Sequence, residues 1–140
     1  MFISRVGSDS FGKGFQENFR SLDIVGDGVL ETPGVSTGVA AISVDAEGRN
    51  SIVIVGGAND RLTPEDVEAQ LAVISRAKVM VCQLEVSPAT TLSALRVAKA
   101  AGLTTIFNPA PAPESLESDF YKLTDIFCVN ETEAETLSGN

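Results

Sequence analysis

Glu85, Asn108 and Asn130 each stand directly after a short apolar run, where a strand that is only structural has no use for a carboxylate or an amide. Val79 to Leu84 runs into Glu85, Thr104 to Phe107 into Asn108, and Ile126 to Val129 into Asn130. A carboxylate at a strand end accepts hydrogen bonds from ligand hydroxyls, as a sugar would offer. Helical patterns separate the three runs, so the segment reads βαβαβ, and right-handed crossovers make its strands parallel. Ligands of open parallel sheets sit beyond the carboxyl ends of the strands. The spacing therefore predicts that one carboxylate and two amides converge on a single sheet edge.

The densest cluster is Asn130-Glu131-Thr132-Glu133, where a helix begins. Free N–H groups and positive potential at a helix start suit phosphate, and Glu133 could hold Mg²⁺ or its water through oxygen. The same four residues also make a capping box, which needs no ligand. Glu85 is likewise readable as a solvated loop acid. Asn108-Pro109-Ala110-Pro111 is a rigid turn, its prolines fixing φ, and at a ligand edge it could shape a pocket floor. Gly12-Lys13-Gly14 lacks the spacing of a phosphate-binding P-loop. Gly57-Ala58-Asn59-Asp60 follows a hairpin strand instead of opening a buried helix, which argues against catalysis by Asp60.

The elements that must position these residues are ordinary for a single domain with a real core: 140 residues, 44% hydrophobic and 21% charged. A net charge of −9 with no basic stripe disfavours nucleic acid and anionic membrane surfaces. No apolar stretch is long enough to span a bilayer, and no signal peptide is evident. Cys82 and Cys128 fall inside apolar runs, where a free Cys acts as a small hydrophobe, so a reduced, cytoplasmic setting is expected. The absence of His removes His-based acid–base catalysis and most zinc sites.

Along the chain, Phe2 to Val6 reads as a strand that starts abruptly. Asp9 or Ser10 caps a helix through Phe11, Phe15 and Phe19. Ser36 to Asp45 and Asn50 to Val55 read as an antiparallel hairpin turning at Ala46-Glu47-Gly48. Thr63-Pro64-Glu65-Asp66 starts a helix with Val67, Leu71 and Ile74 on its buried stripe. Ser87-Pro88 starts another, lined by Leu92, Leu95 and Ala98 and closed by Gly102. The last helix runs from Asn130 through Ala134 and Leu137 to Gly139-Asn140. The fold class expected is α/β: a partial doubly wound parallel sheet with an antiparallel lid-type hairpin.

Six motifs then fall in order: V-G-x-D-S-F-G at Val6 to Gly12, S-T-G-V-A at Ser36 to Ala40, I-V-G-G-A-N at Ile54 to Asn59, C-Q-L-E at Cys82 to Glu85, F-N-P-A-P at Phe107 to Pro111, and N-E-T-E-A-E at Asn130 to Glu135. Together they resemble the PfkB-type, ribokinase-like carbohydrate kinases over essentially the whole chain, and within that family the ribokinases. The resemblance implies ATP-dependent phosphorylation of D-ribose at its 5-hydroxyl, with Mg²⁺ and, in full-length members, a monovalent cation. Residue by residue it implies that Glu85 binds the sugar, that Asn130 contacts the nucleotide, and that Asn130 and Glu133 form the magnesium and phosphate motif. It also implies a homodimer formed through the hairpin. A related kinase acting on another sugar or a nucleoside, or a non-catalytic chain pairing with a full-length subunit, are the alternatives.

Two motifs of such kinases do not occur here, the sugar-binding G-G-K-G-A-N and the G-A-G-D whose Asp is the catalytic base. The resemblance thus implies one partial kinase domain over residues 1–140, an internal slice incomplete at both ends. Its catalytic Asp lies outside the chain, and it is expected to be inactive alone.

Overall fold

The computed structural model describes residues 1–139, which form two compact units, Met1–Leu62 and a second that begins at Thr63; Asn140, the expected end of the last helix segment, lies outside the described residues. In the first, β1 (Ile3–Gly7) leads into α1 (Ser10–Ser21) and then β2 (Gly28–Thr32), which pairs parallel to β1 with Ile3 opposite Gly28 and Gly7 opposite Thr32. Asp9 is the N-cap of α1 and accepts from the Gly12 N–H, so it, and not Ser10, starts the helix. The phenylalanine stripe of α1 is less buried than its spacing implies. Phe19 packs on Phe2 with ring centroids 5.0 Å apart, whereas Phe11 and Phe15 are exposed.

The hairpin forms in the expected register. β3 (Val39–Val44) and β4 (Asn50–Val55) pair antiparallel, Val39 opposite Val55 and Val44 opposite Asn50. Its turn is closed by Asp45, whose Oδ1 accepts from the Glu47 and Arg49 N–H groups, while Gly48 takes φ 81°. Every residue of both strands is exposed. A 3₁₀ turn, Gly57–Arg61, follows with Ala58 fully buried.

In the second unit α2 (Pro64–Glu68) and α3 (Leu71–Ile74) replace the single helix expected. The start is as expected: Thr63 and Asp66 make a reciprocal capping box. The break falls at Ala69-Gln70, and the residue types there do not force it. β5 (Val79–Cys82), α4 (Pro88–Ala100), β6 (Thr104–Phe107), α5 (Ser118–Lys122), β7 (Ile126–Phe127) and α6 (Glu131–Ser138) follow. The three strands lie in the order β5-β6-β7, all parallel. This is the α/β parallel-sheet fold with an added antiparallel hairpin.

One face of this sheet is packed. Phe107 of β6, Leu92 and Leu95 of α4, and Phe120 of α5 form its core, with the Phe107 and Phe120 rings stacked at 5.2 Å. Burying each of these side chains contributes roughly 1.5–3 kcal/mol. On the other face Val79, Val81 and Ile126 are exposed, so these strands are half-buried instead of enclosed on both sides. Cys82 turns to the packed side, where burial pushes its thiol up to about 11. Cys128 corrects the expectation of a small hydrophobe inside a strand: it stands just past β7, two residues beyond Ile126 of the open face, and like Ile126 it is exposed.

Candidate functional site

The three sequence-predicted residues lie beyond the carboxyl ends of β5, β6 and β7. At β5 the ladder stops at Cys82, two residues earlier than its apolar run. The chain then bends: the Gln83 carbonyl accepts from the Thr91 hydroxyl of α4 at 2.9 Å, and the Leu84 N–H donates to the Ala110 carbonyl at 3.1 Å. Ala110 belongs to the proline-rich loop after β6, where Pro109 is buried and the Ala110-Pro111 peptide is cis. The loop that carries Glu85 is thereby fastened to the loop after Asn108. Glu85 itself is exposed.

Asn108 is the first residue past β6. Its N–H donates to the Cys82 carbonyl at 2.9 Å, which carries the β5–β6 ladder one step further. Its side-chain Nδ2 donates to the Cys128 carbonyl at 2.7 Å and lies 3.5 Å from Glu133 Oε2, the long limit of a hydrogen bond. One amide thus joins the ends of two strands to the start of α6.

At that start the capping box is present in full. Asn130 Oδ1 accepts from the Glu133 N–H at 2.8 Å, and Glu133 Oε2 accepts from the Asn130 N–H at 3.0 Å. The cap engages one oxygen from each side chain. Among the described residues, Glu133 Oε1 and Asn130 Nδ2 make no hydrogen bond. The capping and ligand readings are therefore compatible, because the box fixes both side chains while leaving each a polar atom for something else. Free N–H groups and the helix dipole add positive potential at this point.

The structure brings Asn108, Asn130 and Glu133 into one hydrogen-bonded cluster. Glu85 shares the sheet edge but makes no hydrogen bond to the other three among the described residues. No group of three or more Asp, Glu, His or Cys side chains suited to a metal occurs among the described residues. Mg²⁺ does not require one, since it commonly takes one or two carboxylates and completes its shell with water and substrate phosphate. Glu133, with one uncommitted oxygen at a helix start, fits that pattern. Two surface grooves, of about 320 and 510 Å³, lie elsewhere in their respective units, and none of the four residues lines either.

Gly12 and Gly14 are inside α1, and Asp60 lies in the 3₁₀ turn, so close to Gly56 that a Cβ there would meet its carboxylate at 2.5 Å. Two supports went unread in the sequence: Thr91, which holds the Gln83 carbonyl, and the link from Asn108 to Glu133. A helix threonine and a loop asparagine carry no local signal of a partner that is eight or twenty-five residues away.

The family described as pfkB family carbohydrate kinase matches residues 1–140. A ribokinase from Mus musculus is 50% identical over 138 residues, covering 99% of this chain and 43% of that protein. A ribokinase from Staphylococcus aureus is 44% identical, covering 99% of this chain and 45% of its own. The solved structure of Arabidopsis thaliana ribokinase complexed with ribose and ATP superposes with a TM-score of 0.85 at 28% identity, over 99% of this chain and 45% of that one. The chain thus spans less than half the length of these relatives.

Proposed function

The chain belongs to the pfkB family of carbohydrate kinases, and on that footing we propose that it serves transfer of the γ-phosphate of ATP to the 5-hydroxyl of D-ribose in the cytoplasm. The observation that carries this reading is the junction of β6, β7 and α6. There Asn108 and the Asn130 N–H hold one oxygen of Glu133 and leave the other uncommitted, beside the free N–H groups of a helix start.

Phosphoryl transfer asks a protein mainly for positioning and charge neutralisation. Glu85 accepts hydrogen bonds from ribose hydroxyls and orients the sugar; an exposed carboxylate at a strand end suits that task. Asn130 contributes its Nδ2 to the nucleotide, and the start of α6 stabilises phosphate charge through its N–H groups. Glu133 would hold Mg²⁺ directly or through water, with Asn108 fixing its orientation. When bound, that ion neutralises charge on the phosphate oxygens. The base that accepts the hydroxyl proton in this family, the Asp of G-A-G-D, matches no residue of this chain, and residues 1–140 are read as part of one larger kinase domain.

The hairpin supports pairing with a second copy. Its faces carry Val39, Val53 and Val55 on one side and Ile42, Val44, Ile52 and Ile54 on the other, all exposed. A lone two-stranded hairpin is marginal in water, and an exposed apolar surface of this kind marks an interaction site. No described helix is long and apolar enough to cross a membrane.

Amide chemical shifts of the ¹⁵N-labelled chain test the assignment. Mg-ATP is expected to move Asn108 and Asn130 to Glu133, and ribose to move Glu85 and its neighbours. Titrations that leave both sets in place, or that exchange their ligands, would refute it.

A further inference from the structure

The Val39–Val55 hairpin has no buried residue in either strand, so its attitude is set where it leaves the rest of its unit. Two buried residues flank it there, Thr37 before β3 and Ala58 after β4. The Ala58 N–H donates to the Ser36 carbonyl at 2.9 Å. Thr37 is held more firmly. Its N–H donates to Asp9 Oδ2 at 2.8 Å and its hydroxyl to Asp9 Oδ1 at 2.6 Å, while that hydroxyl accepts the Gly7 N–H at 2.9 Å. Led by the Thr37 hydroxyl and joined by the Gly12 and Thr37 N–H groups, these contacts lower the Asp9 carboxyl to about 2. Hydrogen bonds to an ionised acceptor are the strong ones. Immediately beyond this clamp the two strands leave side by side as Gly38 and Gly56, so close that a Cβ on Gly38 would come 2.6 Å from the Gly56 carbonyl oxygen.

We propose that Asp9, acting through Thr37, is a positioning residue for the hairpin: the fixed side of a hinge whose moving side begins at Gly38 and Gly56. Capping α1 needs only Oδ1, which takes the Gly12 N–H. Oδ2 serves Thr37, and together the two oxygens grip both the backbone and the side chain of that residue. The clamp fixes the angle at which the arm is offered, while the side-chain-free glycine pair permits the arm to swing. The proposal rests on the geometry of this unit alone and adds to the pairing role a device that sets the arm's direction.

The test is Asp9→Asn in the full ¹⁵N-labelled chain, read by residual dipolar couplings and amide exchange. Asn caps a helix as well as Asp does, so α1 keeps its couplings. Its Nδ2 then faces the Thr37 N–H, donor against donor. Hairpin couplings are expected to shrink relative to those of α1, and the Thr37 and Ala58 amides to exchange roughly tenfold faster or more. Hairpin and α1 couplings that still scale together would overturn the hinge. Equal acceleration in α1 and at the clamp would also overturn it, reducing Asp9 to a cap.

If Asp9→Asn does not fold, T37V and T37S make the same comparison. Ser keeps the hydroxyl and behaves as the parent, Val loosens the arm, and two indistinguishable variants would refute the idea. No arm of the test needs sugar, nucleotide or turnover, so failure of the kinase reading is seen separately.

Discussion

Asn108 and Glu133, twenty-five residues apart, meet at the carboxyl edge of the β5-β6-β7 sheet, with Asn108 Nδ2 3.5 Å from Glu133 Oε2 and 2.7 Å from the Cys128 carbonyl. A strand end, a neighbouring strand end and a helix start are thereby tied together by one amide. The carboxylate of Glu133, proposed to hold Mg²⁺, is oriented by tertiary structure as well as by its own cap.

Glu133→Gln separates the two roles of that carboxylate. Gln also fills the third position of a capping box, so the thermal melt should be close to that of the parent. In a catalytically complete protein carrying this sequence, losing the charge should lower kcat or raise the Mg²⁺ requirement. A Mg²⁺ titration at saturating ribose reads this, and an unchanged profile would leave Glu133 as a cap alone.

Glu85→Gln in the same protein should weaken ribose and spare ATP. Hydrogen bonds to a charged acceptor contribute roughly 1.5–3 kcal/mol, so KM for ribose should rise by about tenfold or more while KM for ATP holds. A rise confined to ATP would displace Glu85 from the sugar site.

The 140-residue chain alone should give no ribose phosphorylation above blank in a coupled ADP-release assay. None of its residues matches the family's base or anion hole, and oxyanion-type donors commonly contribute about 10²–10³ each. Turnover that follows the protein through purification would contradict this.

Acid should expose the grip of Asp125 on β6. The Lys99 ammonium at 2.6 Å, with the Thr105 N–H and hydroxyl, lowers the Asp125 carboxyl from 3.8 to about 2. A folded value below the ordinary one means stability that is complete above 3.8 and lost as pH falls through about 2. The Tm difference between the parent and Asp125→Asn should therefore be largest near neutrality and close as pH approaches 2. A gap that is constant with pH would show that the carboxylate's charge contributes nothing.

Phe120→Ala should cost about 3–5 kcal/mol in a denaturant melt, because Phe120 is buried against Phe107 in the small core under the sheet. A loss below about 1 kcal/mol would mean that the site re-closes around the cavity.

Elements whose signals are local could be read directly from the residues. Pro64 and Pro88 behind hydroxyl caps, Gly48 in its turn and the Asn130–Glu133 box all act within a few residues, so the helix starts, the hairpin and the βαβαβ order were legible. The polar residues at strand ends were legible too, because a short apolar run closing on Glu or Asn is odd wherever it folds. Features that depend on distant partners emerge in the folded chain alone. β2 has two apolar residues between Gly28 and Glu31, and it is a strand because β1 supplies its parallel ladder. α5 is one turn, too short for periodicity, and Phe120 secures it by reaching the core. Cys128 looks internal in sequence and is exposed, because it stands two residues beyond Ile126, on the side of the sheet that nothing in its unit covers. Asp9 gripping Thr37 and Asn108 reaching Glu133 join residues twenty-eight and twenty-five positions apart, and such pairings exist only once the chain has paid the entropy of bringing them together.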